Sequence, residues 1–91
     1  MKYYEWSEEK NERLKKDRNI SFEIMVSQIE LGHLLDILEQ ENKAKYKNQE
    51  IYVVEYEKYA YLVPFVEDED KIFLKTIIPS RKATKKYLLG E

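Results

Sequence analysis

The chain has 91 residues, of which 43% are hydrophobic and 37% charged, and it carries a net charge of -2. This length accommodates a single small domain with a thin core, and the apolar content places the chain in the globular rather than the disordered class. Because cysteine is absent, disulfides, thiolate metal sites and a cysteine nucleophile are excluded, and the composition is compatible with a reducing cytoplasm.

The N-terminal residues contain no apolar signal segment, and no stretch approaches the roughly 20 apolar residues of a membrane span. We therefore expect a cytoplasmic protein with no membrane partner. The net acidity does not by itself indicate a nucleic-acid binder. Basic residues nevertheless cluster near both ends of the chain, at Lys10, Arg13, Lys15, Lys16 and Arg18 and at Arg81, Lys82, Lys85 and Lys86. A basic surface on an acidic protein is therefore expected.

The first predicted helix begins at Ser7, a favourable N-cap, and ends at Asn19, which tolerates the left-handed conformation of a helix end. Its first turn is acidic and its last turn basic, in agreement with the helix macrodipole. Leu14 is its only large aliphatic residue, so burial can anchor the helix only along the stripe of Lys10, Leu14 and Arg18. Two cations therefore flank its one contact point.

Ser21 is the predicted cap of a second helix, in which apolar residues at positions 22, 25, 26 and 29 have the spacing of a helix packed on a core. Gly32 is its predicted end, and Ser80 caps a third helix near the C-terminus. Between them, β-branched and aromatic residues predict four strands, at residues 34–39, 51–56, 59–66 and 72–78.

The connections between the strands are also indicated. We expect a polar loop over residues 42–48, a hairpin turn near Glu57 and Lys58, and another turn in the acidic run 67–70. Pro64 lacks an N–H group, which argues for an edge, a bulge or a break late in the third strand, and Pro79 ends the fourth. The predicted class is α+β, with two N-terminal helices, an antiparallel sheet of about four strands and a C-terminal helix.

Two motifs near the ends of the chain have a spacing typical of a known family. The first comprises Tyr4-Glu5-Trp6, Lys10 and Ile20-Ser21-Phe22-Glu23, and the second is Ile78-Pro79-Ser80-Arg81-Lys82-Ala83. They resemble the opening signature and the Ile-Ser-Ala-Arg-x-Ala segment of the BrnT toxins of type II toxin-antitoxin systems. The match covers both ends of the chain and the order of elements, whereas the middle is similar in pattern only.

This resemblance implies a RelE-like fold and a ribonuclease that cleaves RNA without a metal ion or other cofactor. It also implies a cognate antitoxin as protein partner, which binds and inhibits the toxin. The assemblies that remain open are a homodimer and a heterotetramer with the antitoxin.

Metal-independent RNA cleavage requires removal of the ribose 2′-OH proton, protonation of the leaving oxygen and stabilisation of charge on the phosphorane. The resemblance implies that arginine, lysine and tyrosine perform these steps, so fixed cations should dominate. Arg81, which follows a helix cap, is the predicted ligand of the scissile phosphate. Lys75 alternates with Phe73 and Ile77, so burial there would make it a usable proton carrier. Arg18 is the third predicted catalytic residue.

Five further residues are predicted to contact RNA, namely Lys10, Trp6, Ser80, Lys82 and Lys85. Structural alternatives stay open for these candidates. Trp6 either stacks on a base or acts as a hydrophobic staple before the first helix. Lys10 and Arg18 either neutralise the RNA backbone or form a polar helix face. Arg81 is otherwise a solvated arginine, and Lys75 a lysine that extends along a strand edge.

A second function also stays open. The chain would then be a non-catalytic, degenerate toxin-like module that binds a protein or RNA, which is favoured by the net acidity and by Arg18 at a position where the family usually has histidine. His33 follows a helix-ending glycine, where an imidazole commonly contacts free carbonyls. The acidic run 67–70 is expected to be a solvated turn, because hard cations need convergent oxygens, and no metal site is predicted.

Overall fold

The computed structural model describes residues 2–39 and 49–90, and the predicted polar loop 42–48 lies outside them. The elements are β1 (Tyr3–Glu5), α1 (Glu8–Arg18), α2 (Phe22–Glu30), β2 (Leu34–Glu39), β3 (Gln49–Tyr56), β4 (Tyr59–Glu67), β5 (Lys71–Leu74), β6 (Ile78–Pro79) and α3 (Arg81–Tyr87). The predicted α+β class is confirmed, with three helices and a mixed sheet among the described residues. No helix in these ranges has the length and apolar character needed to cross a bilayer.

The helices begin where the serine caps predict. The Oγ atoms of Ser7, Ser21 and Ser80 each accept a hydrogen bond from the backbone N–H three residues further on, at 3.3, 3.2 and 3.1 Å. Asn19 has a φ of 55° and Gly32 a φ of 91°, the left-handed conformations that end α1 and follow α2. The first two helices therefore meet at a short corner.

The sheet differs from the predicted antiparallel meander of about four strands. Its strand order is β1-β5-β4-β3-β2, and β1 lies parallel to β5, with Tyr4 paired to Ile72. The sheet is therefore mixed, and the chain opens with a strand instead of a helix. A strand of three residues shows too little alternation to be recognised, and its ladder partner lies near the other end of the chain, so no local pattern indicated it.

The predicted fourth strand, 72–78, is divided in the structure. β5 ends at Leu74, and pairing with β4 resumes only at β6. Pro64 lies opposite this break, because its carbonyl accepts a hydrogen bond from the Lys75 N–H at 2.8 Å. Pro64 has no N–H group to donate on that side, and the hydrogen-bond ladder between β4 and its neighbour is interrupted there. The predicted break thus falls in a neighbouring strand, while β4 runs unbroken through the centre of the sheet.

The predicted turn between the second and third predicted strands, which correspond to β3 and β4, is confirmed as a two-residue hairpin loop. Glu57 and Lys58 have φ values of 52° and 65°, and β3 and β4 pair in register from Tyr56 and Tyr59 outward. Two successive left-handed residues give the hairpin turn that matches the twist of the flanking strands. The turn fixes the register of the central strand pair.

The core has two parts, one on each face of the sheet. Alternate residues of β3 and β4 point to opposite faces. On one face, Tyr52, Val54, Val63 and Phe65 pack with residues of α1 and α2. On the other face, Val53, Ala60 and Leu62 pack with Ala83, Tyr87 and Leu88. The N-terminal helices and α3 therefore cover opposite faces of the sheet.

Two polar contacts hold α3 on its face. Thr84 Oγ1 accepts a hydrogen bond from the Ala60 N–H at 2.9 Å and donates one to the Ser80 carbonyl at 2.8 Å. Tyr87 Oη donates to Asp36 Oδ2 at 2.6 Å, a contact that lowers the pKa of Asp36 and raises that of Tyr87. The helix is thereby attached to both β4 and β2.

The position of α1 depends on a buried amide. Asn11 is fully buried; its Oδ1 accepts a hydrogen bond from the Phe22 N–H at 2.8 Å, and its Nδ2 donates to Glu23 Oε1 at 2.7 Å. Leu14 is the other buried residue of this helix. An apolar contact as small as this one does not fix the rotation of a helix, so the two hydrogen bonds orient α1 against α2.

We predict that Asn11→Ala lowers the free energy of unfolding by about 2 kcal/mol, because it leaves a buried N–H and a carboxylate without their partner. Urea denaturation followed by circular dichroism measures this loss. Lys16→Ala, on the exposed side of the same helix, is the control and should change stability by less than about 0.5 kcal/mol. Equal effects of the two substitutions would contradict the proposed role of the amide.

The same contact predicts a pH dependence. The hydrogen bond from Asn11 is the main cause that lowers the pKa of Glu23 below its usual 4.5. The folded state therefore binds a proton at this site less readily than the unfolded chain, and the stabilisation is complete above the usual pKa and lost as the pH falls through the lowered one. Glu23→Gln should consequently lose less thermal stability than the wild type between about pH 5 and about pH 3. A wild-type slope in Glu23→Gln would refute the assignment.

Candidate nucleic-acid interface

A cleft of about 250 Å³ lies between α1 and the segment that joins β5 to β6. Its lining residues are Lys10, Arg13, Leu14, Asp17, Arg18, Thr76, Ile77 and Ile78. Leu14 and Ile77 belong to the same core cluster, so α1 packs on this segment through apolar contacts beneath its polar side chains. The structure therefore brings together Lys10 and Arg18, as their shared helix stripe predicts, and places them beside the sheet.

The cleft is basic because its cations are incompletely neutralised. Asp17 is the one carboxylate among the lining residues. Arg13 Nη2 lies 3.5 Å from Glu9 Oε1, and both side chains are largely exposed. Within residues 2–39 and 49–90, neither Lys10 nor Arg18 has a carboxylate within ion-pair distance. A surface of this kind favours a polyanion such as the phosphate backbone of RNA.

Another lysine of α1 has a structural role instead. Lys15 Nζ lies 3.1 Å from Glu12 Oε2 and 3.9 Å from Glu23 Oε2, and the hydrogen bond to Glu12 raises its pKa. Lys15 therefore faces α2 and its acidic side chains. Lys15 thus pairs with carboxylates, whereas other cations of α1, described above, line the cleft.

The predicted site residues of α3 are not part of this cleft. Arg81, Lys82 and Lys85 are exposed, and the Ser80 hydroxyl accepts the Ala83 N–H as a helix cap. α3 lies on the sheet face opposite α1, although Arg81 follows the cleft residue Ile78 by three positions, a chain reach of about 11 Å. The two predicted basic groups are thus close along the chain but lie on different faces.

The structure does not give Lys75 the buried position that the alternation suggested. Lys75 lies in the segment after β5, is exposed, and donates from Nζ to Gln49 Oε1 at 3.0 Å. The break in the strand changes the alternation, so Ile77 turns into the core together with Leu74 while Lys75 stays outside. The desolvation expected to make Lys75 a proton carrier is therefore absent.

Trp6 packs within the protein. Its ring stacks on Phe22 with a centroid separation of 5.7 Å and an interplanar angle of 20°. The contact is with the first residue of α2 rather than with the fourth position of α1, so it is tertiary packing and not the local staple that was the alternative to base stacking. Trp6 thus joins β1 and α1 to α2.

Sequence reasoning missed three polar residues of the cleft. Arg13 and Asp17 lie at the third and seventh positions after Lys10, so helical periodicity alone could have added them to the stripe. Thr76 had no such signal, because its place in the cleft depends on the break between β5 and β6. Asn11 was also missed, since a polar residue in a polar helix gives no indication of burial.

The chemistry available in the cleft is electrostatic binding of phosphate, with one carboxylate as a proton acceptor. His33 is elsewhere, with Nδ1 4.0 Å from Glu55 Oε1. Across the described residues, no group of three histidine, aspartate or glutamate side chains is arranged to hold a metal ion. The cleft residues are therefore the basis for a functional proposal.

No protein-family model, curated protein or solved structure matches this chain.

Proposed function

We propose that this protein is a metal-independent endoribonuclease of the BrnT toxin type, with the RelE-like fold that this family implies, and that a cognate antitoxin inhibits it. RNA binds along α1 in the basic cleft, where Lys10 and Arg18 neutralise its backbone. Arg81, which lies outside the cleft at the start of α3, contacts the RNA backbone where it continues past Ile78. The observation that carries the proposal is the convergence of Lys10, Arg13 and Arg18 on one cleft, in a protein of net charge -2.

Two further features support this proposal. Among the described residues, a short strand, two helices, five further strands and a final helix form an α+β domain, which is broadly compatible with the fold class that the resemblance implies. The cations of the cleft are held on a helix whose rotation is set by buried hydrogen bonds. Preorganised charges of this kind stabilise negative charge that develops in a transition state without reorganising during the reaction.

Asp17 supplies the proton acceptor that the sequence did not indicate. It is the carboxylate of the cleft lining and lies next to Arg18 in the chain. In the proposed reaction, Asp17 removes the 2′-OH proton, the freed oxygen attacks the adjacent phosphate, and the P–O bond to the next nucleotide breaks as the protonated Asp17 returns the proton to the leaving 5′ oxygen. The products are a 2′,3′-cyclic phosphate and a 5′-hydroxyl end, so no water is consumed in the step.

We predict that purified protein cleaves single-stranded RNA in the presence of EDTA, and that Arg18→Ala reduces the rate roughly hundredfold or more, because it removes a cation from the reacting phosphate. Arg81→Ala, outside the cleft, should instead weaken RNA binding. Lys16→Ala, which removes an exposed cation outside the cleft, should retain the wild-type rate. Gel analysis of a labelled RNA measures the cleavage. Intact RNA with folded wild-type protein across substrates and metal ions would refute the ribonuclease proposal.

Asp17→Asn separates proton transfer from binding. Loss of a general base should slow cleavage by roughly 10²- to 10⁴-fold, while RNA affinity stays unchanged or increases, because a negative charge leaves the phosphate site. Cleavage rates under single-turnover conditions and filter binding measure the two effects. An unchanged rate would exclude Asp17 as the base, and weaker binding would show that the substitution disturbs the cleft.

A second candidate function is a non-catalytic module that binds RNA or a protein. It is favoured by the exposure of Arg81 and Lys75 and by the absence of histidine from the cleft lining. In this case RNA binds and is not cut, and Arg18→Ala lowers the slope of log affinity against log salt by about 0.7, the value for one phosphate contact on a single strand. Cleavage that co-purifies with the folded protein and is lost in Arg18→Ala would exclude this candidate.

A further inference from the structure

A second groove lies on the outer side of α2, away from the basic cleft. Its volume is about 340 Å³, and it is lined by Trp6, Glu23, Val26, Ser27, Glu30 and Leu31. None of these residues lines the cleft on α1. The groove is therefore a surface distinct from the proposed RNA-binding cleft.

The spacing along α2 makes one face of the helix both acidic and apolar. Glu23 and Glu30 are seven residues apart and therefore lie on the same face, about 10 Å from each other along the helix axis. Val26 and Ser27 lie between them, and the side chain of Leu31, one of the most exposed large apolar residues, extends this face at the helix end. Carboxylates seven residues apart around apolar positions are typical of a helix surface that receives another helix.

The end of α2 adds negative potential to this face. The last turn contains no basic residue, although cations are favoured at a helix C-terminus. Instead, the helix ends with the exposed carboxylate of Glu30, which has no ion-pair partner among the described residues. A cation supplied by a partner would reduce the electrostatic repulsion between the Glu30 carboxylate and the terminal carbonyl groups of α2.

The aromatic ring of Trp6 lines the same groove. An aromatic ring next to carboxylates is a favourable surface for an arginine or lysine side chain, through cation–π and ionic attraction.

We propose that this α2 groove binds a basic amphipathic helix of a partner protein. The apolar residues of that helix contact Val26, Leu31 and the Trp6 ring, and its arginine or lysine side chains pair with Glu30 and with Glu23 Oε2. The charge of the groove selects this partner and rejects RNA, which would be repelled by both carboxylates. The inference does not depend on the ribonuclease proposal.

Trp6 is the single tryptophan of the chain, so its fluorescence reports directly on the groove. The probe is a blocked helical peptide in which two arginines seven residues apart flank two leucines. Titration of the full-length protein should give a saturable change in Trp6 emission. Glu30→Lys should weaken binding at least roughly tenfold, because it places like charges opposite each other.

Glu69→Lys is the matched control, since it makes the same change in net charge at an exposed position in the acidic turn. It should bind the peptide as the wild type does. Leu31→Asp, at an exposed site, is a second variant that should also weaken binding, and thermal unfolding shows whether each variant is folded. The proposal is overturned by the absence of a saturable signal or by equal weakening in Glu30→Lys and Glu69→Lys.

Discussion

The buried amide of Asn11 is the contact on which the arrangement of the N-terminal helices depends. Capping and side-chain charge are sufficient to form α1, but its single buried aliphatic residue, Leu14, does not determine which face it turns to the sheet. Asn11 binds the backbone of Phe22 and the side chain of Glu23, two consecutive residues of α2. Hydrogen bonds have directional requirements that apolar contacts lack, so they select one rotation of α1. The cations that flank Leu14 are thereby held over Ile77 at the wall of the cleft.

The opposite wall of the cleft originates in the sheet. Pro64 cannot donate a backbone hydrogen bond, and the neighbouring chain leaves the sheet at the same level, between β5 and β6. This interruption allows Ile77 to enter the core on the same side as Leu74, which an unbroken strand with alternating side chains would prevent. Thr76 and Ile78 then face α1. A proline in a central strand and an amide in a polar helix are thus both required to form one cleft.

Local patterns predicted most of the fold and only part of the candidate site. Serine caps, the apolar spacing of α2 and the hairpin turn at Glu57 and Lys58 act over a few residues, and the structure agrees with each of them. β1 and the division of the fourth strand depend on pairing between distant segments, so local patterns gave no indication of them. The cleft shows the same division. The stripe of Lys10 and Arg18 was predictable from helical periodicity. The exposure of Lys75 was not, because Lys75 lies on the same outward side as Phe73 of β5, and the strand break turns only Ile77 into the core.

The acidic groove and the basic cleft use α1 and α2 without competing for the same atoms. Glu23 lines the groove, yet its Oε1 is occupied by Asn11 at 2.7 Å. Its Oε2 lies 3.9 Å from Lys15 Nζ, in a partly exposed pair of the kind that contributes little to stability. A cation that enters the groove would therefore displace Lys15 from Oε2 and leave the hydrogen bond from Asn11 intact. Because that hydrogen bond orients α1, occupation of the groove leaves the cleft formed, and a partner bound at α2 must extend across α1 itself if it is to exclude RNA.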